Sequence, residues 1–402
     1  MRLFRAFVFW VHLAVGYAAG LVIAAMASTG ILLAFERQIT AWADAPVVLQ
    51  GPAGSGLKLA LDSVLMTLKK GGHGVPTQLI VHNRLNAPVE ARFGRERTLF
   101  LNPWTGAIIG QPSGSVRAFF GAIERFHRSL GFAMQSAFGR GIAGAANLAF
   151  LFMLLSGIYL WVPKLFTLKS LRSRLLFRGG LEGRAREWNW HNVIGIWTVV
   201  PLFFIVLTGV IISYPWALNL LYKLTGTQPP AGGWRGERDA RSNELRHGAT
   251  VPGSPVGPAQ YRSLDDLVPV ATGQVPGWKS ITIDVPDSGD RTLTLSIDKS
   301  IGGQPEQVSQ MVIDRQNGHV EAIRRFSDNN AGRKLRAWAR FLHTGEEFGV
   351  AGETVAAIAC LGGIVLVWTG LSMGIRRGAA AIKRSNALKR ATDRAGKELQ
   401  TV

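Results

Sequence analysis

The sequence predicts an α-helical membrane protein with four transmembrane helices in two repeated halves, each half carrying an α+β domain on the outer side of the membrane. Three observations predict this. First, 47% of the 402 residues are hydrophobic and the mean hydropathy is positive although 18% are charged, so apolar residues must be concentrated into blocks. They form four blocks, each near the roughly 20 residues that cross a bilayer. Second, the basic residues cluster beside alternate ends of those blocks. Third, the chain resembles itself at a constant offset.

The first span is residues 1–35. Arg2 and Arg5 precede an apolar run from Phe7 to Phe35, too long for a secretory signal and without a small-residue cleavage site, so it is expected to stay attached. Residues 36–140 form the first outside domain. Arg97-Thr98-Leu99-Phe100-Leu101, the turn Asn102-Pro103-Trp104-Thr105-Gly106 and a return strand mark its sheet. Val116, Phe119, Phe120, Ile123, Phe126, His127 and Leu130 fall on one face at helical spacing, as in an amphipathic helix lying at the membrane interface.

The second span is 141–162, and a basic link follows at 163–190 with Lys164, Lys169, Arg172, Arg174, Arg178, Arg184 and Arg186. The third span is 191–215. Residues 216–353 repeat the outside domain: Arg291-Thr292-Leu293-Thr294-Leu295 and Val312 to Gly318 echo its strands and turn, and Leu335, Trp338 and Leu342 lead amphipathically to His343. An insertion dense in Gly, Pro, Arg and Ser, Gln228 to Gly257, interrupts this half. The fourth span is 354–375, and the tail 376–402 carries eight basic residues between Arg376 and Lys397.

By the positive-inside rule both termini and the link are cytoplasmic. The two long segments are then periplasmic, and the chain belongs in a bacterial inner membrane. The net charge of +19 faces anionic lipid in this reading and requires no nucleic acid.

Self-comparison aligns His12 with His191, Gly16 with Gly195, Thr29 with Thr208 and Gly30 with Gly209, a constant offset of 179. Ser156-Gly157 and Thr369-Gly370 recur at the ends of spans two and four, so all four spans end in a Ser/Thr-Gly pair. Close packing of helix backbones is the reading adopted for these pairs.

Of eight histidines, His73, His82, His247 and His319 fall among polar and turn residues of the outside segments, where a solvated surface position is the default. The other four adjoin the membrane. His12 and His191 lie near its cytoplasmic face, and each has glycine four residues on, Gly16 and Gly195; Gly20 extends the first strip. Singly, each imidazole reads equally well as an interfacial side chain bonded to a neighbour. Their repeat equivalence and the glycine strips, which suit a flat macrocycle standing on a histidine, favour a ligand role. His127 and His343 precede spans two and four on the outer side. Two pairs at opposite faces predict two b-type haems with His12, His191, His127 and His343 as axial iron ligands, an arrangement suited to electron transfer.

The single cysteine, Cys360, excludes disulfides, thiolate clusters and covalent c-type haem. No dinucleotide fingerprint, P-loop or hydrolytic motif is present, so no flavin or nicotinamide site is expected and electrons must come from a quinol or a separate donor.

Trp188-Asn189-Trp190-His191, Phe341-Leu342-His343-Thr344-Gly345, Ser156-Gly157-Ile158-Tyr159-Leu160-Trp161 and the strand-turn-strand elements resemble the PepSY-associated transmembrane family over nearly the whole chain. This family of iron-regulated inner-membrane proteins includes ferric-siderophore reductases. The resemblance implies PepSY-like outside domains, two haems on those four histidines, and reduction of a ferric siderophore or other ferric chelate at the periplasmic face. Two motifs depart from the family pattern: Phe126-His127-Arg128-Ser129-Leu130 has leucine and a shifted spacing where Thr344-Gly345 follows His343, and the second turn, Asp314 to Gly318, lacks the counterpart of Pro103. The competing readings are a non-redox PepSY membrane protein that binds peptides or regulates proteases, and a siderophore-uptake permease component. Against the permease, the spans are nearly free of charged residues.

Overall fold

The computed structural model describes residues 2–44, 59–84, 86–94, 97–133, 136–163, 165–229, 261–287 and 289–400, with side chains to residue 387. Lys164, His247 and all but the first two residues of the insertion expected at 228–257 lie outside the described residues.

Among the described residues, four helices are long and apolar enough to cross a membrane: α1 (Arg2–Ala34), α5 (Ala137–Trp161), α7 (Gly183–Ser213) and α11 (Gly349–Gln400). Each coincides with one apolar block, because only a helix satisfies every backbone group inside lipid. All four begin ahead of their blocks, and the last also runs past its block. Helix α7 starts at Gly183, eight residues ahead of His191, and α11 continues through the basic tail. The basic link holds a short helix, α6 (Leu168–Leu175), capped by Thr167, whose hydroxyl accepts from the Ser170 amide at 3.1 Å.

The two amphipathic segments are helices, α4 (Gly114–Ser129) and α10 (Ala331–Thr344), each with its histidine in the last turn. Both end in a left-handed residue. At the end of α10 it is Gly345 (φ 81°), where a β-carbon would collide with the Gly352 carbonyl; at the end of α4 it is Leu130 (φ 54°), which costs a non-glycine residue about 1–2 kcal/mol. Two further helices, α2 (Glu36–Asp44) and α8 (Pro215–Leu224), follow α1 and α7.

The strands of the two segments expected outside the membrane meet in one sheet. Strands β1 (Gln78–His82), β2 (Val89–Phe93), β3 (Arg97–Leu101) and β4 (Ile108–Gly110) join β5 (Ser280–Asp284), β6 (Thr292–Asp298), β7 (Val308–Asp314) and β8 (Val320–Arg325) in one antiparallel sheet. Its order is β4-β3-β2-β1-β5-β6-β7-β8. At the seam Gln78 pairs with Asp284 and His82 with Ser280. The physical reason is edge satisfaction: alone, each four-stranded unit would leave β1 or β5 as an open edge, and pairing removes both.

Helices α3 (Leu61–Lys70) and α9 (Leu264–Gln274) cover one face. Both bury residues at the same i, i+3, i+7 spacing, which lines one side of a helix. Leu61, Val64 and Leu68 from α3, with Leu264, Leu267 and Ala271 from α9, pack on Leu79, Leu99, Leu101, Ile283, Leu293, Leu295 and Ile297. The alternate burial along β6 is the period-two pattern of a half-buried strand.

The two helices cap each other: Asp265 accepts from the Leu61 amide at 2.9 Å, and Asp62 from the Leu264 amide at 2.8 Å. Asp265→Ala is expected to destabilise this unit by about 1–2 kcal/mol, seen as faster amide hydrogen exchange across α3. The sheet meets the bundle where Arg37 pairs with Glu346 at 2.8 Å and lies against Gly302 and Gly303, both at positive φ.

Candidate functional site

The helices bring all four membrane-associated histidines against the Ser/Thr-Gly pairs of neighbouring spans. His12 Nδ1 lies 2.8 Å from Ser156 Oγ, His127 Nδ1 2.9 Å from Thr29 Oγ1, and His191 Nδ1 2.9 Å from Thr369 Oγ1. His343 Nδ1 donates to the Ile205 carbonyl at 2.8 Å, with Thr208 Oγ1 at 3.5 Å.

The tautomers follow from the hydroxyl protons. Each hydroxyl donates to a carbonyl of its own preceding turn: Thr29 to Met26 at 2.9 Å, Ser156 to Phe152 at 2.7 Å, Thr208 to Phe204 at 2.6 Å and Thr369 to Val365 at 2.7 Å. With its one proton committed, the hydroxyl oxygen can only accept, so Nδ1 carries the proton and Nε2 keeps a lone pair. For His343 the conclusion needs only the carbonyl, which has no proton to give. An Nδ1–H held by oxygen is the usual posture of an imidazole that ligates a metal through Nε2.

The glycines of the same pairs make room for the rings. A β-carbon added at Gly157 would lie 3.7 Å from His12 Cε1, at Gly30 3.6 Å from His127 Cε1, at Gly370 3.4 Å from His191 Cε1, and at Gly209 3.1 Å from His343 Cε1. The Ser/Thr-Gly pairs therefore do more than let helix backbones approach. In sequence, their recurrence on all four spans was visible, but nothing there linked each pair to a histidine 98 to 178 residues away.

His127 and His343, from α4 and α10, face each other with ring centres 6.2 Å apart and planes inclined at 65°. Two imidazoles on opposite sides of one metal, with nitrogens about 2 Å from it and ring centres about 1 Å beyond, stand about 6 Å apart. Burial, and then the neighbouring His343, pushes the His127 imidazole down to about 4; burial lowers His343 as well. Both are thus in the neutral form that ligation requires. His12 and His191 sit within electrostatic range of one another at the other end of the bundle.

The donor sets come in twos. Among the described residues no group of three or more His, Cys, Asp or Glu is placed to hold an ion alone. Two imidazoles per site are too few for tetrahedral zinc but suffice for an iron whose other ligands come from a macrocycle.

The glycine strip faces neighbouring helices. A β-carbon at Gly16 would meet Met153 Cε at 3.3 Å, at Gly20 Val367 Cγ1 at 3.2 Å, and at Gly195 Leu366 Cδ2 at 3.6 Å. Side chains of neighbouring helices thus border these glycines, the flexible ends of Met153 and Leu366 at two of them and the stiff, β-branched Val367 at Gly20. Elsewhere, His82 pairs with Glu90 on the sheet at 3.0 Å, away from either imidazole pair. Of the arginines near the histidines, Arg128 pairs with Glu124 at 2.8 Å, and Arg186 and Arg340 lie over Trp190 and Phe341.

The family model of the PepSY-associated TM region matches residues 9–377. No curated protein matches the chain.

Proposed function

The chain belongs to the PepSY-associated TM family, and from that premise we propose that it is a di-haem b-type electron-transfer protein that reduces the iron of a ferric siderophore or similar chelate at the periplasmic face of a bacterial inner membrane. The observation that carries the reading is the matched state of four imidazoles, each fixed at Nδ1 and open at Nε2, in two pairs at opposite ends of one bundle.

His12 and His191 would hold the cytoplasmic haem, and His127 and His343 the periplasmic one. With each imidazole pair as its protein ligands, a bound haem would supply single-electron transfer in preference to oxygen chemistry. The chain's own contribution is to hold those imidazoles. Thr29, Ser156, Thr369 and the Ile205 carbonyl fix ring rotation and tautomer, while the glycines beside the Cε1 atoms admit the rings to the helix surface. The apolar layer between the pairs, with Ile23, Phe150, Met153, Leu202 and Val367, keeps water out of the bundle. A quinol or a separate protein supplies electrons at the cytoplasmic end, and the chelate takes them at the sheet end.

Absorbance spectra of the purified protein, oxidised and dithionite-reduced, test the proposal. Sharp b-type bands with about two haems per chain are expected; a colourless protein produced with ample haem would overturn it in favour of a non-redox role.

A further inference from the structure

We propose that Arg5, Arg174 and the indole of Trp161 form a binding site for the phosphate of an anionic phospholipid, at the end of the bundle farthest from the sheet. Arg5 reaches from α1 to the C-terminal end of α5, where its guanidinium donates to the Leu160 carbonyl at 2.7 Å and the Val162 carbonyl at 2.8 Å. Arg174 comes from α6 to the same helix end, donates to the Trp161 carbonyl, and lies over the Trp188 ring at 5.6 Å. Two guanidinium groups are thus held around one helix terminus. The second feels the first, since burial and then the charge of Arg5 lower the Arg174 pKa.

The carbonyls at the end of α5 attract these cations, but they carry only partial charge. Among the described residues neither arginine is paired with a carboxylate. Two donors of the cluster, Trp161 Nε1 and Arg174 Nε, are buried without a hydrogen-bond partner. Two full cations beside N–H groups without a protein acceptor suit a negatively charged oxygen acid, and planar guanidinium forks match phosphate geometry.

The surroundings say where that oxygen acid comes from. Leu165 is 74% exposed, Phe166 75%, Leu168 89%, and on α1 Leu3 is 88% and Phe4 60% exposed. Phe4 also packs edge-on against Tyr159 at 5.8 Å. Large apolar side chains this open belong in acyl chains, and they flank the two arginines on both sides. Helix α6 therefore lies in the interface with its apolar residues in lipid and Arg174 at headgroup level. The inference is independent of the haem reading.

The experiment is native mass spectrometry of the full chain released from bilayer discs of phosphatidylglycerol diluted in phosphatidylcholine. The wild type is expected to retain a phosphatidylglycerol adduct. R5Q/R174Q is expected to lose it by at least about tenfold, and K169Q/R172Q, which removes the same charge from elsewhere on α6, to keep it. W161F retains both charges, serves should R5Q/R174Q fail to fold, and is expected to weaken retention severalfold. Equal loss in K169Q/R172Q, full retention in R5Q/R174Q, or unchanged retention in W161F would each overturn the proposal. So would unchanged lipid retention with a shifted haem spectrum in R5Q/R174Q, since the anion would then be a haem carboxylate.

Discussion

His191→Ala is expected to lower the haem content of the purified protein from about two per chain to about one. The ring it removes is held by Thr369 at 2.9 Å on α11 and, in the proposed function, serves the inner pair alone. The outer pair is held by α4 and α10 against α1 and α7, on contacts that do not include His191. The remaining reduced bands should therefore be those of the outer haem, and electron delivery to a ferric chelate should fall by orders of magnitude because the inner half of the path is missing. Haem quantification and reduced-minus-oxidised spectra check this, with size-exclusion chromatography to show the variant is folded. Loss of both haems from a folded variant would break the pairing of His12 with His191.

Gly209→Val is expected to do the same to the proposed outer haem with every histidine left in place. A β-carbon there would already stand 3.0 Å from Asn147 Nδ2 and 3.1 Å from His343 Cε1. Asn147 has little freedom to yield, being buried and donating to the Val206 carbonyl at 3.0 Å. Valine adds two further carbons to a place already tight against Asn147 and the His343 ring, and overpacking of this kind typically costs about 1–3 kcal/mol. Gly195→Ala is the contrast: its added carbon meets only Leu366 Cδ2 at an ordinary 3.6 Å, so both haems should remain. If the valine variant binds both haems normally, Gly209 is not part of the His343 seat.

The spans were legible because lipid makes their signal one-dimensional: a block such as Asn192 to Pro215 has to be helical and of bilayer length, and length and hydropathy settle both. The amphipathic helices ending in His127 and His343 were legible by period. The merged sheet was not, since the seam between β1 and β5 joins residues about 200 positions apart, and each four-stranded segment reads alone as a complete unit. At the site, residue type and repetition singled out the histidines, whereas the partners of their Nδ1 atoms depended on which helices adjoin. Thr29 and Thr208 occupy equivalent places in the repeat, yet nothing local marks Thr29 as the acceptor for His127 or places Thr208 beside His343. Their hydroxyls would look identical if they only bonded their own helix.

The seam between β1 and β5 also has a consequence in time. During synthesis β1 emerges long before its partner: Gln78 waits for Asp284, 206 residues later, which at about 5–20 residues per second is roughly 10–40 s. Through that interval two spans and the basic link must be made while the N-terminal strands, across the membrane in the proposed topology, present an unpaired edge. The chain is therefore most exposed to aggregation and proteolysis as a nascent half-molecule. A chain truncated after α5 should be cleared rapidly from cells, and co-expression of the second half as a separate polypeptide should rescue it by supplying β5.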